Sequence, residues 1–134
     1  MLNALSYHRI SGNFLVAVLT CMHSVCLATE SFDAIYSRAH AMGETVEGKA
    51  YEKQFYGSVG PFMRDALEAC TKNTRTPYIV NLVFVIATDG AVRRIIPAPH
   101  QPVSACVADK FHQMRLPPPP KNDWLVAVNI SVKE

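Results

Sequence analysis

The run from Tyr78 to Ala87 is the feature that most constrains the fold. Its residues, YIVNLVFVIA, are rich in β-branched side chains and are apolar at both odd and even positions. A strand with one wet face would alternate apolar and polar residues, so this composition predicts a central strand. Asp89-Gly90 follows it, and Gly supplies the positive φ that a tight hairpin turn requires. Val92 to Ile96 is therefore expected to return beside it, ended by prolines.

The C-terminal segment shows the cleanest alternation in the chain. One set of apolar residues recurs at every second position from Trp124 to Val132, and the residues between them are Leu125, Ala127, Asn129 and Ser131. This period of two predicts a strand with two distinct faces. Pro117–Pro120, just ahead of it, predict a rigid, extended corner.

Helical periodicity precedes the strands. Apolar residues recur every three or four positions from Ser31 to Met42, with Ser31 suited to cap the helix and Gly43 placed where it would stop. A second pattern runs from about Lys49 to Cys70. Gly57, Gly60 and Pro61 interrupt it, and we read two helices there, the second starting near Pro61.

A further helical pattern runs from Val103 to Met114, with Cys106 beside its apolar face. The whole order predicts an α+β fold, in which N-terminal helices precede a ββαβ unit with a three-stranded antiparallel sheet. The core should join large apolar residues of sheet and helix: Leu82, Phe84, Val107, Phe111, Val126 and Val128.

An apolar segment near the start of the chain predicts export. Phe14–Ala28 is almost entirely apolar or small, a basic residue precedes it, and it closes on Cys26-Leu27-Ala28, a pattern that signal peptidase reads. An uncleaved anchor is the alternative, but a spanning helix needs about 20 apolar residues, and Thr20 interrupts this shorter run. We expect a cleaved signal peptide over residues 1–28, a single domain over residues 29–134, a periplasmic location, and no membrane span after cleavage.

Cleavage would remove Cys21 and Cys26 and leave two cysteines in an oxidising compartment. An even number of cysteines there usually means pairing, so a disulfide between Cys70 and Cys106 is expected. Closing a loop of that length stabilises a fold by roughly 3–4 kcal/mol in the chain-entropy model. A reactive or metal-binding pair is the alternative, although no histidine pattern lies close to either cysteine.

From Cys70 onward the motifs follow a recognisable order. Cys70 closes a helix, Asp89-Gly90 makes a hairpin turn, Cys106 opens a helix, and Met114–Pro119 form a proline corner before the last strand. In this order residues 70–134 resemble the C-terminal domain of the TonB family, most closely its cysteine-bearing relatives at the ends of gliding- and adventurous-motility proteins. The resemblance implies a small sheet whose free edge can pair with a partner's extended segment.

The chain departs from TonB-type energy transducers in three respects. It offers neither a spanning-length N-terminal helix nor a long Pro-rich spacer, and Pro77-Tyr78 stands where many transducers carry a tyrosine-proline motif. Energy transduction is therefore not implied by the resemblance.

Motifs that could carry chemistry are weak. Gly43–Lys49 has the spacing of a phosphate-binding loop, but Ala50 stands where Ser or Thr must hold magnesium, and we expect an interhelical turn. Gly57–Gly60 is one residue short of a nucleophile elbow. His40, His100 and His112 lack partners at ligand spacing. We expect no enzymatic activity, cofactor or metal, and the absence of a basic run argues against nucleic acid as a partner.

These observations favour an exported, non-catalytic binding or accessory protein that contacts another envelope or periplasmic protein. The alternative is a periplasmic inhibitor or immunity-type protein that blocks an enzyme. Arg93 and Arg94 protect the returning strand from pairing, whereas the last strand carries no charge, so its outer edge should receive a partner or a second copy of the chain. The candidate contact residues are Trp124, Val126, Val128, Asn129 and Ile130.

Overall fold

Three helices surround one antiparallel sheet in the computed structural model, which describes residues 29–111 and 114–133. The elements in chain order are α1 (Phe32–Gly43), α2 (Val46–Thr71), β1 (Tyr78–Ile86), β2 (Val92–Pro97), α3 (Pro102–Lys110) and β3 (Trp124–Val132). The strands lie in the order β2-β1-β3, which makes β1 central and confirms the predicted α+β class and ββαβ order. The predicted signal peptide and His112 lie outside the described residues.

The sheet is buried on both faces because a different helical layer covers each. On one face α2 and α3 enclose a large core that contains all six residues predicted from the sequence. On the other face α1 covers a smaller cluster, in which Ile35 and Ala39 meet Val83 of β1 and Leu125 of β3. Two covered faces explain why β1 is apolar at every position but Asn81.

Phe84 lies at the centre of the larger core. Its fully buried ring contacts Phe55 of α2 at 5.1 Å and Phe111 at 5.5 Å between ring centroids, both edge to face. Such pairs add stabilisation beyond the burial of apolar area. One aromatic side chain therefore joins α2, the sheet and the end of α3.

The predicted break near Pro61 is wrong, because α2 runs unbroken from Val46 to Thr71 with Pro61 inside it. Proline in a helix interior removes one hydrogen bond and costs about 3 kcal/mol. Pro61 and Gly57, whose carbonyl loses its partner, are both exposed, so water can solvate that carbonyl. Core residues continue on both sides of the proline, and packing of this continuous face outweighs the local cost.

The connection between α1 and α2 wraps around the β3 edge of the sheet. Only Glu44 and Thr45 separate the two helices, although they cover opposite faces. Thr45 caps α2 by accepting from the Gly48 N–H at 2.9 Å, and its hydroxyl donates to the carbonyl of Met42 at 2.7 Å. A side chain at Gly48 would meet that carbonyl at 1.9 Å, so glycine is needed for this close turn. The Gly43–Lys49 motif is thus an interhelical turn, as predicted.

The expected disulfide is present and joins the two helices of the larger core. Cys70, in the last turn of α2, is bonded to Cys106 in α3, with their Cα atoms 5.8 Å apart. The helix predicted to reach Met114 instead ends at Lys110.

Candidate functional site

The backbone groups of β3 alternate between β1 and the outer edge of the sheet, as in any antiparallel pair. Asn81 in β1 directs its carbonyl to the Ala98 N–H and its own N–H to the side chains of Gln101 and Ser104, away from β3. Asn81 lies opposite Asn129. The N–H and C=O of Asn129 therefore point outward, and so do those of the residues two positions away in either direction.

The half of this edge nearest Trp124 is covered. The hydroxyl of Tyr56, on α2, donates to the outward carbonyl of Ala127 at 3.1 Å. Leu125 is packed beneath α1 and is only 5% exposed. Helix α1 and the Tyr56 side chain of α2 therefore cover β3 as far as Ala127.

The other half of the edge is open. Asn129 and Ser131 are exposed, and no described residue bonds to their outward N–H or C=O groups. The side chain of Asn129 donates to the Asn81 side chain on the α1 face, which leaves its backbone accessible. We call the backbone of Asn129–Ser131 the open end of β3.

An apolar groove of about 340 Å³ lies between α2 and this open end. We call it the β3 groove, and its lining residues are Tyr56, Val59, Gly60, Met63, Arg64, Leu67, Val128, Asn129 and Ile130. The α2 residues recur at three- and four-residue spacing, so one side of the helix forms a wall and the strand forms the floor. Arg64 is the charged member of the lining.

The predicted contact residues fall into two groups. The side chains of Trp124, Val126 and Val128 are 3%, 0% and 2% exposed and belong to the larger core, so they position the strand. Asn129 is exposed and Ile130 is half-buried at the groove. The structure brings the last two together at the open end.

Sequence reasoning missed the contribution of α2 to this site. Tyr56 and Leu67 lie beside the core stripe of α2 and line the groove, and Tyr56 remains 44% exposed. A tyrosine next to an apolar stripe was a visible signal, but its partner, Ala127, is 71 residues away in the chain.

The hydroxyl of Tyr56 is held in its neutral, hydrogen-donating form. Burial raises the pKa of this phenol above its usual value of 10.0, and the nearby Glu52 and Tyr36 raise it further. Tyr56 therefore stays protonated at neutral pH and continues to occupy the carbonyl of Ala127.

The outer edge of β2 is closed by other means. The Val92 N–H donates to the carbonyl of Met114 at 3.4 Å, and the Leu116 N–H donates to the carbonyl of Gly90 at 2.8 Å. Pro97, at the other end, has no N–H to offer a partner. Between these two ends, the outward backbone groups of Ile95 form a short gap. Arg93 and Arg94, noted from the sequence, also protect this strand from pairing.

Gly90 is required for this closure. Its φ is +83°, and an added Cβ would lie 2.0 Å from the carbonyl oxygen of Leu116. The same residue therefore makes the predicted β1–β2 turn and lets the Met114–Leu116 segment approach it closely.

Residues 29–111 and 114–133 contain no cluster of three or more His, Cys, Asp or Glu side chains that could hold a metal ion. Nor does this part of the chain include a helix with the length and apolarity needed to cross a bilayer. The Gly57–Gly60 motif lies inside α2 rather than in a strand-to-helix turn.

No family model, curated protein or solved structure matches this chain. The geometry of the two sheet edges and of the β3 groove is therefore the observation that bears on function.

Proposed function

We propose that the protein is an exported, non-catalytic binding protein that pairs its β3 edge with an extended segment of a partner, either another envelope or periplasmic protein or a second copy of the chain. The observation that carries the proposal is the open end of β3, where Asn129 and Ser131 present unbonded backbone groups beside an apolar groove. Exposed edges of this kind are templates for strand addition.

An added strand would gain both hydrogen bonds and apolar contacts. The outward N–H and C=O groups of Asn129 and Ser131 can form four backbone hydrogen bonds, each contributing about 0.5–1.5 kcal/mol. Alternate side chains of the added strand would face the β3 groove, where Met63, Leu67 and Ile130 offer apolar surface. The backbone would supply affinity and the groove would supply selectivity for apolar side chains.

Two features support export to an oxidising compartment, which for a bacterial host is the periplasm. One is the apolar segment with a cleavage pattern before Thr29, and the other is the Cys70–Cys106 disulfide. Sequencing of the N-terminus of protein from its host should find a start within a few residues of Thr29. An intact Met1 in the membrane fraction would contradict export with cleavage.

Substitution at Asn129 tests the edge itself. Asn129→Pro removes an outward N–H, whereas Asn129→Ala loses the same side-chain amide and keeps the N–H. Calorimetry with a peptide from a periplasmic protein that co-purifies should show about tenfold weaker binding for the proline variant relative to the alanine variant, a loss of about 1.4 kcal/mol. Circular dichroism should show that both variants are folded.

Equal affinities for the two folded variants would overturn the β3 edge as the binding surface. A hydrolase as the sole co-purifying protein would favour the inhibitor alternative, which could use the same edge.

A further inference from the structure

We propose that the occupant of the open end of β3 is a second copy of this chain, paired antiparallel across a twofold axis at Ile130. This inference rests on the proposed function and names the partner of the same edge. It follows from which backbone groups are free and which are already bonded.

The register is determined by elimination. With the axis at Ile130, Asn129 of each copy lies opposite Ser131 of the other, and the two pairs form four hydrogen bonds. An axis at Asn129 would place Ser131 opposite Ala127, whose carbonyl already accepts from Tyr56. An axis at Ser131 would place Asn129 opposite Lys133, beyond the end of β3. The Ile130 register pairs all four outward groups of Asn129 and Ser131 and leaves the occupied carbonyl of Ala127 outside the ladder.

Tyr56 sets the length of this intermolecular ladder. Its hydroxyl occupies the carbonyl of Ala127, so pairing cannot extend toward Trp124 without breaking that bond. A strand that slid further along the edge would have to leave one N–H of its own unpaired or displace the Tyr56 hydroxyl from the carbonyl of Ala127. Both penalties favour the short, symmetric ladder over longer registers.

The side chains at the axis are complementary in this register. The two Ile130 residues face each other as a non-hydrogen-bonded pair, for which Cα atoms are about 4.5 Å apart. Ile130 is half-buried in the single chain and lines the β3 groove. Its contact with the second copy would join the two grooves into one surface that is apolar apart from Arg64 of each copy, with Val128 opposite Val132 on each side.

Charge also favours a second copy. No residue of β3 is charged, so two copies meet along the strand without repulsion. In this register Lys133 of one copy lies opposite Ala127 of the other. Ala127 is bonded to Tyr56, and the carboxylate of Glu52 is close enough to Tyr56 to raise its pKa. The basic end of one strand thus meets an acidic neighbourhood on the other copy, twice by symmetry.

Crosslinking at the axis tests the register directly, with protein expressed from the full sequence and purified oxidised. Ile130→Cys should form an intermolecular disulfide in most molecules, because the two introduced cysteines face each other. Val132→Cys is the matched control, since its symmetry mate lies four residues along the strand and out of reach. Peptide mapping identifies the bond.

Reversed charges at the same position test the second copy as partner. Ile130→Glu and Ile130→Lys should each raise the dimer dissociation constant at least about tenfold in analytical ultracentrifugation, because like charges face each other. Mixing the two variants should restore a dimer. Circular dichroism confirms folding, and the milder cysteine variant keeps the test decisive if a charged variant does not fold.

A parent protein that is monomeric throughout the micromolar range would overturn the second-copy proposal, as would a dimer that neither crosslinks at Ile130→Cys nor responds to the charged variants. The proposed function fails separately. A monomeric parent whose co-purifying partner is lost only in Asn129→Pro keeps the edge as the binding surface and refutes the second copy. A dimer unaffected by Asn129→Pro refutes the second copy at this edge, whereas equal peptide affinities of Asn129→Pro and Asn129→Ala refute the edge itself.

Discussion

The two edges of the sheet differ in how far their outward backbone groups are covered. At β2, the Met114–Leu116 segment bonds to the start of the strand, and Pro97 ends it without a donor. At β3, helix α1 and Tyr56 of α2 cover the strand only as far as Ala127, and the open end begins at Asn129. Proteins usually block exposed edges because they invite association. The β2 edge is bonded at its start and lacks a donor at Pro97, whereas the open end of β3 lies beside an apolar groove, and this contrast supports the proposed binding edge.

The closures differ in what holds them. The β2 closure is tied to α2 through the Tyr51 hydroxyl, which donates to the carbonyl of Pro117 at 2.8 Å, next to buried Leu116. The β3 closure depends on the single hydroxyl of Tyr56, which is itself partly exposed. We therefore expect the β2 edge to be the more resistant of the two to perturbation.

The largest effect should come from the residue that both edges share. Phe84 pairs with Ile95 of β2 and Val126 of β3, so Phe84→Ala weakens both sides of the sheet. Truncating a buried phenylalanine costs about 3–5 kcal/mol, measured by urea unfolding. Phe62→Ala is the control, because Phe62 is 58% exposed and should change stability by less than about 0.5 kcal/mol. A loss below about 1 kcal/mol for Phe84→Ala would mean that the described core is wrong.

Removing the disulfide should have the next largest effect. The double variant Cys70→Ser, Cys106→Ser should lose roughly 3–4 kcal/mol of unfolding free energy, because the unfolded chain regains the entropy of a long loop. Loss of the disulfide removes the covalent link between α2 and α3. Helix α3 packs on β2, and α2 lies beside β3. Reductant should lower the parent to the stability of the variant and leave the variant unchanged. Free thiols at both cysteines in oxidised protein would contradict the pairing.

Alkaline pH should weaken the hydrogen bond from Tyr51 to Pro117, which holds the Met114–Leu116 segment against the β2 edge. Burial raises the pKa of Tyr51 from 10.0 to about 12, so the folded state favours the protonated phenol. The stabilisation is complete below pH 10 and is lost as the pH rises through about 12, for a total of about 2–3 kcal/mol.

Tyr51→Phe is the control for this pH dependence. It should be less stable than the parent at pH 8 by about 1 kcal/mol, from the lost hydrogen bond to Pro117. Denaturant unfolding across the alkaline range should then show a smaller decline for this variant. Parallel declines in the two proteins would show that Tyr51 is not the titrating group.

The smallest effect is expected at the partial closure of β3. Tyr56→Phe removes the hydrogen bond to Ala127 and should cost at most about 1 kcal/mol, since the group is partly exposed. Tyr36→Phe is the matched control, because no described residue hydrogen-bonds to its hydroxyl. Without the Tyr56 hydroxyl, the carbonyl of Ala127 can accept a hydrogen bond from an added strand. The affinity for an added strand should therefore not fall. A variant that binds less tightly than the parent would show that Tyr56 contributes to binding rather than limiting it.

The sequence was informative where the signal is local. The apolar run of β1, the Asp89-Gly90 turn and the alternation of β3 each depend on neighbouring residues, and all three elements form where predicted. The cysteine pair was predictable because only two cysteines, Cys70 and Cys106, follow residue 28.

The failures have long-range causes. Pro61 indicates a break locally, but a continuous apolar face packed on the sheet keeps α2 intact. Coverage of the edges also escaped prediction, because Tyr56 reaches Ala127, and Gly90 reaches Leu116, only once the fold has formed. Sequence alternation shows which side chains share a face of a strand, but it does not show which backbone groups remain unbonded.

Hydrogen exchange of individual β3 amides, followed by NMR as a function of protein concentration, tests the central claim most directly. In dilute protein, the N–H groups of Asn129 and Ser131 should exchange rapidly, while those of Val128 and Ile130, which face β1, are protected. On association with a second copy or another strand, the Asn129 and Ser131 amides should become protected together. Protection of both in dilute monomer, or rapid exchange of both in the assembled state, would contradict an open β3 edge that binds by strand addition.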